Sequence, residues 1–398
     1  MARLWDKGSR LDEHILNFTA GEDHHLDKRL LPYDIRGSVA HARMLQKQGL
    51  LGEKDCEAIC AGLEALGLEH RQGEWSISLE DEDVHTALES RLIDRIGPAG
   101  GRVHLGRSRN DQVLVALRLY MKDAIRLLAN GAGAVAQALD ELAGRQGEIQ
   151  LPGYTHMQPA MPSSVGLWAS GWATELPDDA DGLTATVRRA DINPLGSAAG
   201  YGPAGLPLDR DATRHELGFS RNHEPVTAVQ ISRGKAEASL VFEISLLLGD
   251  LGRLASDLLL FFTKEFGFVS LPDEMTTGSS IMPQKRNPDV FELVRSAPAV
   301  GAGALMEVLT ITKSLGSGYQ RDLQRLKAPL FRSIDLAEDT VLIMSHALKG
   351  VHFHADRIEL GEELRATERA SQLALKEDIP FREAYRRIAA ELHGKSKA

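Results

Sequence analysis

A chain of 398 residues, 43% hydrophobic and 26% charged, can bury a large core and is long enough for two or three folding units. Its formal net charge of −10 excludes a general nucleic-acid binder, which needs a basic face, but leaves room for a local cationic pocket. Aromatic residues are only 5%, and Ala, Leu and Glu are common, so the composition favours helix over sheet.

The first thirty residues are mixed and polar. The opening Met-Ala-Arg-Leu-Trp-Asp-Lys has no signal-peptide apolar core. Asp23, His24, His25 and Asp27 cluster without fixing any metal geometry and read as a solvated helix start. From Pro32 to about His70 the spacing is helical, with a break at Gly49. Cys56 and Cys60, the two cysteines, share one face of it with no zinc-spaced histidine pair, and read as buried inert thiols. So few cysteines fit a reducing cytosol, and a cytoplasmic location is expected. Residues 80–96 form a further helical pattern ended by Gly97-Pro98. Asp81, His85 and Glu89 fall on one face of it and read as a polar surface stripe rather than a metal cage.

Residues 100–111 are glycine-rich, carry three arginines and run into a long helix to about Gln146. As a phosphate cradle the signal is weak, because no strand precedes it. A break at Leu151-Pro152-Gly153 leads to Tyr154–Pro159, and helix resumes near Ser164. Residues 191–211 are an irregular Gly/Pro/Asn/Asp excursion. The run Leu240–Phe262 is the most apolar, yet Glu243, Asp250, Arg253 and Asp257 interrupt it. It therefore reads as a helix buried in protein, and no membrane span is expected.

Residues 276–288, Thr-Thr-Gly-Ser-Ser-Ile-Met-Pro-Gln-Lys-Arg-Asn-Pro, form a polar loop between two long apolar patterns. Asn287-Pro288-Asp289 reads as a helix start with Asn287 as its cap, so the loop is delivered to a helix N-terminus suited to an anion. The helix runs towards Ser314, with Pro298 as a kink. A polar loop at 316–322, a helix over 328–349 and a short, charged helical segment over 352–398 complete the chain. Several long helices are apolar nearly all round, so other subunits are expected to cover them.

Hydroxyls, amides, histidines and cations in separate polar stretches suit a small substrate with several carboxylates. They could support proton abstraction beside a carboxylate, if fixed donors and cations stabilise the dianionic intermediate. No GxSxG elbow or dinucleotide fingerprint is present, and neither a cofactor nor a metal is expected.

Gly278-Ser279-Ser280-Ile281-Met282-Pro283-Gln284-Lys285-Arg286-Asn287-Pro288 closely resembles the signature loop of the fumarase/aspartase superfamily. His104–Gln112 and Asp81–Thr86 look like its argininosuccinate lyase branch, Tyr154–Pro159 fits the superfamily's threonine-histidine motif, and Tyr319, Gln324 and Lys327 fit the branch pattern Tyr-x-x-Asp-Leu-Gln-x-x-Lys. The resemblance extends from about residue 3 to residue 390.

It implies an all-α fold: an elongated long-helix bundle forming a tetramer core over 109–350, with smaller helical domains over 1–108 and 351–398. It implies reversible elimination of argininosuccinate to L-arginine and fumarate in a homotetramer whose sites are shared between subunits. By the match, Ser279 takes the proton, Lys285 stabilises the developing charge, His156 is the second acid/base, and Glu292 orients it. Ser108, Arg109, Asn110, Thr155 and Asn287 would hold substrate carboxylates. Tyr319, Gln324 and Lys327 would hold the arginine end and the remaining carboxylate, with His85 and Asp83 in support. Three positions depart from the pattern: Asp23 stands where serine is usual, Gly234 where arginine is usual, and Arg286 where lysine is commoner. The segment after residue 350 is also shorter than is usual in the family.

Overall fold

The computed structural model describes residues 12–395. The first eleven residues, where the signal-peptide reading falls, lie outside them. Among the described residues the fold is all-α, with three two-stranded ladders.

Helix α1 is Glu13–Ala20, capped by Asp12, whose carboxylate accepts from the His14 and Ile15 N–H groups at 2.9 and 3.1 Å. Helices α2 (Leu31–Lys47) and α3 (Glu53–Arg71) are separated at Gly49, where φ is 70°. Helix α4 (Val84–Ile96) begins later than residue 80, because the Asp83 carboxylate accepts the Thr86 N–H at 2.9 Å and caps it there. Helix α5 (Arg109–Gln146) is 38 residues long. A hairpin of β1 (Gln150–Thr155) and β2 (Gln158–Ser164) follows it. Then come α6 (Val165–Ala190), α7 (Arg210–Leu217), α8 (Lys235–Phe262), α9 (Asp289–Thr312), α10 (Lys327–Gly350), α11 (Ala366–Glu377) and α12 (Phe381–Lys395). Helix α9 continues through Pro298.

By packing, the chain divides into two compact units. One comprises the chain up to Leu128, Gly182–Ser245 and Val300–Leu336; the other comprises Ala129–Asp181, Leu246–Ala299 and the chain from Ala337. In the first unit, Val115 and Leu119 of α5 pack with Ala40 of α2, Leu217 of α7, Leu195 and Phe219. Buried Arg118 ties the irregular excursion to α5, donating to the Ile192 carbonyl at 2.5 Å and to Ser232 Oγ at 2.7 Å. A second cluster, Val308 with Leu323 and Leu326, anchors the loop that carries Tyr319. In the second unit, Trp168 packs edge-on against Phe261 and Phe353, and its indole N–H donates to Asp257 at 3.0 Å.

Gly234 has a structural reason to depart from the family pattern. Its φ is +84°, and a Cβ there would meet Thr312 Cγ2 at 2.3 Å. An arginine has no room in this backbone conformation. Cys56 is buried and Cys60 half-buried; burial and the neighbouring Cys56 push the Cys60 thiol up to about 11.

Helix α9, and not α8, is long and apolar enough to cross a membrane by length and composition, but only 28% of its apolar window is buried within the chain. Leu293 and Met306 of α9, Leu167 of α6 and Leu342 of α10 are all largely exposed. The long helices therefore carry unpartnered apolar faces.

Candidate active site

The predicted residues separate between the two units. Asp83, His85, Ser108, Arg109, Asn110, Tyr319, Gln324 and Lys327 belong to the first. Thr155, His156, Ser279, Lys285, Asn287 and Glu292 belong to the second.

In the first unit most of the set lines one cavity of about 170 Å³. The turn after α1 supplies Asp23 and Asp27, the start of α4 supplies Asp83 and His85, the first turn of α5 supplies Arg109 and Asn110, and the segment before α10 supplies Tyr319 and Gln324. Lys327 opens α10 and lies between two carboxylates, 2.7 Å from Asp23 and 2.7 Å from Asp27. Burial disfavours its charge, and the two carboxylates outweigh that, so its pKa is raised. Gln324 donates to the Thr19 carbonyl at 3.0 Å, which ties this segment to the end of α1.

Asp83 has two roles. It caps α4 and it pairs with Arg109. Burial alone would raise its pKa; Arg109, His85 and the Thr86 N–H outweigh that and hold it at about 2. His85 is buried, with Nδ1 2.9 Å from Asp34, and Asp34 overcomes the effect of burial and raises the imidazole pKa. Its Nε2 has no hydrogen-bond partner. Ser108 stands at the head of α5, where its hydroxyl accepts the Asn110 N–H at 3.3 Å. Fully buried Asp111 fixes that helix end, accepting from Ser108 N–H at 3.0 Å and from Ala198 N–H at 2.9 Å.

In the second unit the loop at 276–288 closes on itself. Thr277 and Asn287 pair as an antiparallel bridge, with N–H to carbonyl distances of 3.1 and 2.9 Å. Beyond this neck the tip is open, with Ile281 83% exposed. Inside the loop, the Met282 and Ile281 N–H groups point at Ser279 Oγ at 3.2 and 3.4 Å. Lys285 and Glu292 are exposed. Thr155 and His156 lie at the tip of the β1–β2 hairpin, also exposed. The two-residue turn is His156-Met157, with φ of 53° and 60°. Positive φ at both positions is what a tight primed turn requires, and glycine or asparagine would meet it with less strain. Among the described residues, the His156 and Glu292 side chains have no hydrogen-bond partner.

Three expectations need correction. Asp81, His85 and Glu89 are not a surface stripe: all three are buried, Asp81 against Arg91, His85 against Asp34 and Glu89 against His104. Asp81 precedes the helix altogether. The Asp23–Asp27 stretch is not a solvated helix start, since Asp27 is fully buried and both acids grip Lys327. Asn287 does not cap α9; its amide donates back to the Gly278 carbonyl at 3.3 Å and so braces the loop. Sequence reasoning left out Asp34 and Asp111, and gave no partner for Lys327. Charged residues inside helical patterns carry no signal of burial until the partner is known.

The chain matches a lyase family model over residues 12–300. It is 48% identical to the argininosuccinate lyase of Sorangium cellulosum, covering 98% of this chain and 90% of that protein. It is 40% identical to the argininosuccinate lyase of Thermotoga neapolitana, covering 99% of both. Among solved structures, an EDDS lyase in complex with formate matches with TM-score 0.82 and 25% identity, over 98% of this chain and 77% of that one. The class II fumarase of Schistosoma mansoni matches with TM-score 0.75 and 19% identity, over 95% and 91%, and speaks for the shared long-helix fold. With relatives of this closeness along almost its whole length, the chain belongs to the argininosuccinate lyase family of the fumarase/aspartase superfamily.

Proposed function

We propose that the protein is an argininosuccinate lyase, splitting 2-(Nω-L-arginino)succinate reversibly into L-arginine and fumarate at the last step of arginine biosynthesis. Near-full-length kinship with argininosuccinate lyases carries this reading. Ser279, as an alkoxide, removes a proton from the succinyl carbon beside a carboxylate. The two N–H groups aimed at its oxygen favour that charge. The electron pair moves into the carboxylate, and Lys285 stabilises the dianionic intermediate. When the pair returns, the double bond of fumarate forms and the C–N bond to the guanidino nitrogen breaks. His156 supplies the proton that nitrogen needs, with Glu292 holding its tautomer. Ser108, Arg109, Asn110, Thr155 and Asn287 hold substrate carboxylates. Tyr319, Gln324 and Lys327 hold the arginine end, with Asp83 and His85 shaping the cavity around it.

The protein works as a homotetramer in the cytoplasm, its sites completed by other copies of the chain. Two observations support this: the exposed apolar faces of α6, α9 and α10, and the exposure of Ser279's loop and His156 in a single chain. Glu292, Arg295 and Glu307 interrupt α9, which suits a face against protein rather than lipid.

The test follows fumarate by its ultraviolet absorbance with argininosuccinate, adenylosuccinate and aspartate as substrates. Fumarate from argininosuccinate alone is expected; its absence there overturns the reading. Gel filtration coupled to the assay tests the assembly, and a fully active monomer would exclude it.

A further inference from the structure

We propose that a second cavity of the first unit, between the start of α8 and the segment that follows α9, binds a small organic anion through the Arg233 guanidinium and the Gln230 amide. The site goes beyond the argininosuccinate reading and does not rest on it.

This cavity has a volume of about 290 Å³. Ile231, Leu315 and Leu323 form its apolar part, and Gln230, Arg233 and Ser317 its polar part. Among the described residues, Arg233 is the one charged group in the lining, and no carboxylate faces it there. The cavity around Lys327 differs, because Asp23, Asp27 and Asp83 meet its cations. Arg233 borders both cavities.

Two polar side chains in this wall are buried without adequate partners. Arg233 is 5% exposed; its Nε and Nη1 have no hydrogen-bond partner, and Nη2 reaches the Leu323 carbonyl only at 3.5 Å. One Glu237 oxygen stands 3.9 Å from Nε, and the other accepts the Gly234 N–H at 2.9 Å. Glu237 also faces buried Arg118, so two guanidinium groups share one carboxylate. Burial, opposed by Glu237 and reinforced by Arg233, pulls the Arg118 guanidinium down to about 10. The buried set thus carries a surplus positive charge, which an anion in the cavity would neutralise. Gln230 points to the same ligand independently. It is 4% exposed, and both polar atoms of its amide are unpaired. A buried amide left in that state is costly unless something binds it. An oxyanion set between the guanidinium and the amide N–H groups satisfies both, while the leucine and isoleucine side chains cover a short hydrocarbon body. A guanidinium fork suits the paired oxygens of a carboxylate or of a phosphate.

The experiment titrates benzoate, phenyl phosphate and uncharged benzamide into the intact protein by calorimetry. At least one of the two anions should bind once per chain, and roughly tenfold or more tightly than benzamide, the scale of a hydrogen bond to a charged group. The tighter anion tells whether the site prefers a carboxylate or a phosphate. Gln230→Leu, close in volume but without a donor, should weaken that anion by about tenfold. Arg233→Met should weaken it by roughly thirtyfold or more, with Arg118 left to face Glu237. Lys285→Met, on the exposed loop of the second unit, should bind the anion as wild type does, which separates this cavity from the proposed reacting end. Melting curves check that each variant is folded, and if Arg233→Met is not, Gln230→Leu decides. Failure of wild type to bind either anion, or equal binding of benzamide, overturns the site. So does anion binding that survives in Gln230→Leu at full strength or is lost in Lys285→Met.

Discussion

The cavity of the first unit and the loop of the second differ in how finished they are. Around the cavity, charged groups are buried and matched at short range, Lys327 between two acids, Asp83 against Arg109 and His85 against Asp34. At the loop, Ser279 has two backbone donors, while Lys285 is exposed and the tip is open. The first region is preorganised within the chain and holds part of the fold together. The second is presented outward and bears little of the stability. On the roles proposed above, residues of the two regions are expected to respond to mutation in different ways.

The strongest break in the comparison comes from Ser279→Ala. It should lower kcat roughly a thousandfold or more, as expected for loss of the proton acceptor, and leave L-arginine binding and thermal stability near wild type. Steady-state fumarate assays with a melting curve check this, and normal turnover would remove Ser279 from its role. Lys327→Met should do the opposite kind of damage. Two buried carboxylates would lose their cation at a cost of about 3–5 kcal/mol, read by denaturant unfolding. A variant as stable as wild type would mean that the carboxylates are not buried against Lys327 as described.

The pH response is a finer probe. The Asp23 pKa is raised from 3.8 to about 6 in the folded protein. A raised carboxyl favours the folded state in its protonated form, so its contribution is present at acid pH and lost as pH rises through about 6. His85, raised by Asp34, acts in the same direction, so the wild-type curve alone does not isolate Asp23. Asp23→Asn should lose less stability than wild type between pH 5 and pH 7 in parallel melts; identical slopes would remove the effect. The smallest change is expected from Met157→Gly. Relief at φ 60° is offset by the freer unfolded chain, so stability should move by less than about 1 kcal/mol, while kcat falls a few-fold as the tip loosens.

Much of the scaffold was legible because long helices write their period and their stops into the chain. Gly49 separates α2 from α3 and Gly97-Pro98 follows α4, whereas Pro152-Gly153, read as a break, lies inside β1 just after α5. The β1–β2 hairpin was not legible: its turn is His156-Met157, and neither residue is a turn former. The Ser279 loop was readable as a motif, but the role of Asn287 as a brace depends on the Thr277 pairing across the neck. The cavity was the least legible part. Asp27 and Lys327 are 300 residues apart in the chain, and each alone resembles a surface charge. The sequence shows Gly234 only as a departure from the family pattern. The Thr312 side chain explains it as a steric requirement.

The hairpin tip also limits how this chain can change in length. Most surface connections accept an inserted or deleted residue at small cost. Here Thr155 pairs with Gln158 across a turn of two residues, and the ladder already absorbs one irregularity between Gly153 and Tyr154. Side chains alternate between the two sides of a strand, so one residue more or less in the ladder would turn its side chains to the opposite side and displace the histidine with them. The spacing from Tyr154 to Pro159 is fixed by the pairing itself.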